Sequence, residues 1–142
     1  MQDMSLSVHR ISALESSVMW DDTALDALNY VRLVALDCRA AASADLFHAC
    51  AVLSKDQGVA KHAFAETLAK CLPQVLGCKP VLYAPGICEM SFDEAWLVRL
   101  IQSSIRKDFD SFSFLIRSRV PYIAQRNLAF LIHSMSESFA KN

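Results

Sequence analysis

The sequence contains few of the residues that interrupt regular secondary structure. Its 142 residues include three glycines and four prolines. All-β domains place turn residues about every 8–12 positions, so a sandwich or barrel is excluded. Phosphate-binding loops and dinucleotide fingerprints need several closely spaced glycines, so a glycine-rich nucleotide site is excluded as well. The composition therefore predicts an all-α fold.

This sequence shows no segment typical of export or of a membrane span. The first residues contain no basic stretch followed by an apolar run, so we expect no secretory signal. The densest apolar run, residues 33–36, is far shorter than the ~20 residues that a bilayer span requires. The five cysteines are an odd number and form no C-x-x-C pair, which favours a reducing compartment. We therefore expect a cytoplasmic protein that does not cross a membrane.

Linear motifs of catalysis and metal binding are absent too. The chain has no G-x-S-x-G and no H-E-x-x-H. Cys71, Cys78, Cys88 and His62 are residue types that bind zinc. The gaps between the cysteines, six and then nine residues, do not match the short spacing that places two thiolates on one turn. We predict no catalytic residue, no metal and no cofactor.

The length and the apolar fraction indicate one compact, self-associating domain. A chain of 142 residues fits a single domain of ordinary size. Hydrophobic residues make up 54% of it and charged residues 20%, which excludes intrinsic disorder. So small a body cannot hide every apolar side chain, and a partner surface is expected. We assign residues 1–20 to an N-terminal arm, in which strand-like and helical spacings compete, and residues 21–142 to a single helical domain.

The apolar pattern predicts a bundle of five to six helices around one central helix. We expect this helix over residues 22–40, where apolar residues cover nearly the whole circumference. The remaining polar positions form a thin stripe through Asp22, Asp26, Asn29 and Arg32. A helix that is apolar on almost every side belongs at the centre of a fold.

Capping and breaking residues delimit the next elements. A short helix is expected to begin at Ser43 and to end at Gly58. Another begins near Val59, and Pro73 is expected to end or bend it, because proline removes a backbone donor. Residues 77–90 contain two glycines and two prolines and are predicted to form one long loop.

The clearest local signal is the capping box formed by Ser91 and Glu94. Its spacing predicts that a helix begins directly after Ser91. Asp108 or Asp110 is expected to cap a further short helix. A turn then leads into the last helix, with Pro121 at its first position, where the missing N–H has no cost.

The charges divide unevenly along the chain, although the formal net charge is −1. Residues 99–142 carry seven Lys or Arg against three acids, whereas residues 1–98 carry seven against twelve. Arg117, Arg119 and Arg126 surround the predicted turn between the last two helices. They are the candidate contacts for a partner or ligand, together with Tyr83 in the long loop.

We interpret the chain as a non-enzymatic helical protein that acts through contact with other proteins. We expect it to form a homodimer and consider a further protein partner as well. A second hypothesis is a small-molecule or anion-binding protein, or an enzyme, that uses the 77–90 loop and the C-terminal arginines, because guanidinium groups suit phosphate and carboxylate. A third is a helix-turn-helix nucleic-acid binder. Tyr122, Ile123 and Ala124 weaken this last hypothesis, because they occupy the turn whose polar side chains would contact bases.

Overall fold

The computed structural model describes residues 10–12, 19–37 and 61–140. Over these ranges the chain forms five α-helices and two short strands, and the prediction of an all-α bundle is confirmed. The helices are α1 (Asp22–Asp37), α2 (Lys61–Leu76), α3 (Phe92–Ile105), α4 (Phe109–Arg119) and α5 (Tyr122–Ala140); the strands are β1 (Arg10–Ser12) and β2 (Glu89–Ser91). The predicted helix from Ser43 to Gly58 lies outside the described residues.

The predicted caps are present at the starts of α3 and α4. The Ser91 hydroxyl accepts a hydrogen bond from the Glu94 backbone N–H at 3.0 Å, and the Glu94 carboxylate accepts one from the Ser91 N–H at 3.0 Å. This confirms the capping box. Asp108 caps α4 and accepts from the Ser111 N–H at 3.3 Å. Pro121, which was predicted at the first position of the last helix, instead lies directly before α5, which begins at Tyr122.

Helix α2 does not end at Pro73. It continues to Leu76, and Gly77, with φ of +76°, follows it in the left-handed region that favours glycine. The Gly77 N–H donates to the Pro73 carbonyl at 3.0 Å. Leu72 and Val75 are buried on either side of the proline, and this burial offsets the lost backbone hydrogen bond.

The core lies where the helices meet. Helix α1 packs against α2, α3 and α5, while α5 packs against all four of the other helices. The largest fully buried side chains include Leu68, Leu97, Leu100, Ile101, Leu128, Leu131, Ile132 and Met135. Helix α3 is buried on nearly every side. Helix α1 leaves part of its apolar surface outside the core, since Leu33 is 50% and Leu36 46% exposed.

The two strands pair in an antiparallel manner, with Ile11 opposite Met90. Met90 is buried, and Ser91, the last residue of β2, is also the cap of α3. The loop therefore enters α3 directly from the strand pair. Residues 10–12 of the predicted arm form a strand, so Ile11, which fits the helical spacing in the sequence, does not lie in a helix; residues 5–8, where the spacing is strand-like, lie outside the described residues.

Candidate functional site

The structure divides the predicted contact residues among three places. Arg117 and Arg126 line one groove between α4 and α5. Arg119 lies on another side of α4 and contacts the start of α3. Tyr83 lies in the loop before β2, where its backbone N–H donates to Glu94 at 2.7 Å. The groove contains two of the predicted residues, and no residue of the 77–90 loop lines it.

The groove between α4 and α5 has a volume of about 980 Å³. Its walls are mostly apolar, and three of the wall residues are largely exposed: Phe109 at 55%, Tyr122 at 89% and Ile123 at 72%. Phe112, Ser113, Ile116, Gln125, Asn127, Ala129 and His133 complete the lining with the two arginines. A concentration of exposed aromatic and aliphatic side chains at one place is typical of a binding surface.

The arginines make one end of the groove basic. Arg117 lies in the last turn of α4, and Arg126 lies one turn inside α5, so both stand close to the turn that joins the helices. Both are exposed, and neither forms an ion pair with any residue in the described ranges. Unpaired guanidinium groups are available to a carboxylate or phosphate from outside.

His133 forms the opposite, aromatic end. Its ring stacks on Phe112 with the centroids 4.3 Å apart and meets the edge of Phe109 at 5.9 Å. The Ser104 hydroxyl lies 2.6 Å from His133 Nδ1. Burial lowers the pKa of His133 below its ordinary value, and the positive charge of Lys107 lowers this pKa further, against an opposite effect of Glu137. Burial therefore favours the neutral form of this imidazole.

The Ser104 hydroxyl and His133 Nδ1 lie within hydrogen-bond distance, as a nucleophile and its base do, but the surroundings of this serine do not favour attack on a substrate. Ser104 is buried in the last turn of α3 and does not line the groove. This end of a helix presents carbonyl groups, and the N–H groups of Lys107 and Asp108 donate to the carbonyls of Ser104 and Ser103. These N–H groups are thus unavailable to stabilise an oxyanion, and the contact serves to orient the histidine.

Arg119 joins α4 to the start of α3. Its Nη2 lies 2.8 Å from the Asp93 carboxylate, and its guanidinium lies over the rings of Trp96 and Phe92, at 5.0 and 5.3 Å from their centroids. The other Asp93 oxygen accepts from the Val81 N–H at 2.8 Å. Because these contacts connect α4, α3 and the loop, Arg119 has a structural role in this arrangement.

Sequence reasoning missed Arg32, which the apolar pattern placed on a polar stripe of α1. Its side chain is 3% exposed and pairs with Glu94, which is fully buried. Nε lies 2.8 Å from Oε2 of Glu94, and Nη2 lies 2.9 Å from Oε1. The remaining N–H groups donate to the carbonyls of Ala84, Ile87 and Glu89 at 3.4, 2.7 and 2.8 Å. All five guanidinium donors therefore have an acceptor.

These contacts fix the 77–90 loop onto α1. The Asn29 side chain adds a further contact, since its oxygen accepts from the Gly86 N–H at 2.8 Å. The Arg32 guanidinium also lies 6.0 Å from the centroid of the Tyr83 ring. The predicted loop is thus present over residues 77–88, where buried charges hold its backbone groups, while Glu89 and Met90 belong to β2. The signal in the sequence was a lone arginine within an apolar run.

No protein family, curated protein or solved structure matches this chain. The groove and its surroundings are therefore the observations from which a function can be inferred. In residues 10–12, 19–37 and 61–140, no three His, Cys, Asp or Glu side chains are grouped as metal ligands would be. Nor do the helices of these ranges include one of the length and apolarity needed to span a membrane.

A second recess lies on the opposite side of α4, with a volume of about 450 Å³. Arg99 and Asp110 both line it, beside the exposed ring of Phe114. Because charges of both signs meet there, this recess has no preference for an acidic or a basic partner. The groove between α4 and α5 is larger, more apolar and of one charge sign, and it is the candidate functional site.

Proposed function

We propose that the protein is a docking module, and that its α4–α5 groove binds an amphipathic helical segment of a protein partner with acidic residues at one end. A single observation carries this proposal: exposed apolar side chains and two unpaired arginines line the same groove. Helix-in-groove recognition uses an apolar stripe on the ligand helix that fills an apolar groove. Acidic residues on that ligand would meet Arg117 and Arg126.

The residue types around the groove support a protein partner. Aromatic residues and arginine are enriched among the residues that dominate binding energy at protein interfaces. The groove offers Phe109, Tyr122 and Arg126 within one surface, all of them exposed. The groove is also open to solvent, which suits a helix better than a small ligand that must be enclosed on most sides.

The alternative hypotheses find less support. A small anion held jointly by Tyr83 and the arginines would need these residues in one site, and the groove lining includes Arg117 and Arg126 without Tyr83. For nucleic acid, the first turn of α5 would have to read base edges, and it presents Tyr122 and Ile123 to solvent.

We also propose that the protein works in the cytoplasm. Cys78 and Cys88 are exposed thiols in the loop and take part in no disulfide. Exposed thiols persist best in a reducing compartment.

The proposal is tested by binding of a designed peptide. The probe is a fluorescein-labelled 18-residue helix with leucines at helical spacing and glutamates near one end; the matched peptide carries lysine in place of each glutamate. Fluorescence anisotropy is measured with the wild-type protein, Arg126→Glu and Lys79→Glu. Lys79 is exposed and lies in the loop, so its variant changes the charge equally outside the groove.

We expect the acidic peptide to bind the wild-type protein and the Lys79→Glu variant alike. Arg126→Glu should weaken binding at least about tenfold, since the removed charge pair and the new repulsion both act at the groove. The lysine peptide should bind more weakly to the wild-type protein than the acidic peptide. Equal binding of both peptides, or no effect of Arg126→Glu, would contradict the proposal.

A further inference from the structure

We propose that the partner which occupies the groove is a second copy of this chain, and that it docks through the outward face of α1. This inference rests on the proposed function, because it names the occupant of the same groove. Its basis is a stripe of exposed residues on α1 that takes no part in the core or in the groove.

The outward face of α1 carries a regular stripe of exposed residues. The stripe consists of Asp22, Asp26, Asn29, Leu33 and Leu36, which are separated by four, three, four and three positions. This alternation places all five on one line along a helix, and it is the spacing of a seam that faces another helix. Leu33 and Leu36 are about half exposed, although the other apolar residues of α1 are buried or partly buried.

The loop extends the apolar end of this stripe. Ile87 is 45% exposed, and its carbonyl accepts from Arg32, the residue next to Leu33. The loop contact at Asn29 holds Gly86 on the same side of the helix. The buried pair of Arg32 and Glu94 thus keeps an apolar side chain of the loop close to the apolar end of the stripe.

The charges of the stripe and the groove are opposite. Asp22 and Asp26 are exposed, and in the described part of the chain neither of them forms an ion pair. Asp21, in contrast, pairs with Arg106 at 2.7 Å and is occupied. Two unpaired acids on α1 therefore correspond to the two unpaired bases of the groove, Arg117 and Arg126.

The order and the spacing of the charged and apolar parts also correspond. Phe109 and Phe112, at the start of α4, contact His133, so α4 and α5 run back along each other with the arginines at the turn end. Arg126 and His133 are seven positions apart, as are Asp26 and Leu33, which is about 10 Å along a helix in each case. A docked α1 can therefore place its acids on the arginines and its leucines on the aromatic end.

The stripe and the groove are different surfaces, so the contact between copies is heterologous. Each copy then offers one stripe and one groove, and the assembly closes into a ring or extends as a chain according to the rotation between copies. This differs from a two-fold dimer, in which the same surface of each copy meets itself. The difference provides the test.

The experiment uses two charge-reversal variants of the full chain. Asp22→Lys/Asp26→Lys alters the stripe, and Arg117→Glu/Arg126→Glu alters the groove. Each variant and the wild-type protein are measured alone by sedimentation velocity at about 1–100 µM, and the two variants are then mixed in equal amounts. Circular dichroism and thermal denaturation establish that each variant is folded.

We expect the wild-type protein to associate and each variant alone to associate at least about tenfold more weakly. The mixture should associate again, because the intact stripe of one variant meets the intact groove of the other. Asp110→Lys serves as the control for the stripe, since Asp110 is likewise an exposed acid in the first turn of a helix. Lys70→Glu/Lys79→Glu serves as the control for the groove variant, since it changes the charge by the same amount outside the groove and should associate alone as the wild-type protein does.

Several results would overturn the inference. A wild-type protein that stays monomeric at 100 µM, variants that associate as the wild-type protein does, or a mixture that associates no better than its components each exclude the contact. In these cases the peptide experiment still decides whether the groove binds an acidic helix from another protein. If the peptide fails to bind and the mixture still associates, the groove is specific for α1 of its own chain.

Discussion

Arg32 and Glu94 form a buried, two-point ion pair between residues 62 positions apart in the sequence. The same carboxylate accepts from the backbone N–H groups of Ser91 and Tyr83, and the same guanidinium donates to three loop carbonyls. The pair thereby joins α1, the loop and the start of α3. A buried pair with all its donors satisfied fixes one arrangement of the chain, whereas a partly satisfied one would be unstable.

Removal of one member of this pair should be strongly destabilising. Arg32→Met leaves the Glu94 carboxylate buried without its cation, and we expect a loss of about 3–5 kcal/mol in the free energy of unfolding. Arg32→Lys should also be destabilising, because one ammonium group cannot reproduce the five donors of the fork. Urea denaturation measures both changes. A Lys variant as stable as the wild-type protein would show that charge alone, and not the network, stabilises the loop.

The cap of α3 should contribute less than the buried pair. Ser91→Ala removes the acceptor for the Glu94 N–H and the hydroxyl that donates to the Val81 carbonyl. We expect a loss of about 1 kcal/mol, with Ser91→Thr as the control that retains a hydroxyl. An unchanged midpoint of urea denaturation in the alanine variant would refute the capping role.

Trp96 should be one of the most sensitive positions in the core. Its side chain is buried, and its indole N–H donates to the Leu115 carbonyl of α4 at 3.0 Å. Trp96→Ala should cost about 3–5 kcal/mol, and Trp96→Phe, which retains an aromatic ring, should cost less. Thermal denaturation gives the comparison, and an alanine variant with a normal transition would show that this face of α3 is not core.

The stability of the protein should fall as the pH drops below neutrality, in part through His133. Burial lowers the pKa of this imidazole in the folded chain, so the unfolded chain binds more protons below its own pKa of about 6.5. This contribution is fully present above pH 6.5 and is lost as the pH falls from there towards the lowered pKa of the folded chain. His133→Asn keeps an amide near the Nδ1 position and does not titrate.

The measurement is the free energy of unfolding at pH 7.5 and pH 5.5 for both proteins. We expect the wild-type protein to lose more stability between these values than His133→Asn does. Equal losses would show that the groove does not hold the histidine in its neutral form.

The features of the fold that were predicted correctly from the sequence depend on residues close together in the chain. The capping box of Ser91 and Glu94 spans three positions, and its identification from sequence was correct. Arg32 was assigned to a polar stripe because it is charged. Its partner Glu94 lies 62 positions away, and no local pattern predicts a contact over that separation. Pro73 was expected to end or bend α2, but the burial of its neighbours continued the helix to Leu76.

The candidate site shows the same division. The basic residues around the turn were visible in the sequence, yet helical geometry directs Arg119 to Asp93 and directs Arg117 and Arg126 to the groove. Arg117 and Arg119 are two positions apart on α4, and which surface each one faces depends on how α4 packs against α3. This packing involves residues distant in the sequence, so no local pattern predicts it.

The central claim is that the α4–α5 groove docks an acidic helix, and the most direct measurement is a chemical-shift titration. The isotope-labelled protein is titrated with the acidic peptide, and the backbone amide signals are followed residue by residue. The account predicts that the largest shifts occur at Ile123, Arg126, Ala129 and His133. Shifts concentrated instead at Tyr83 and the 77–90 loop, or no shifts at millimolar peptide, would contradict it.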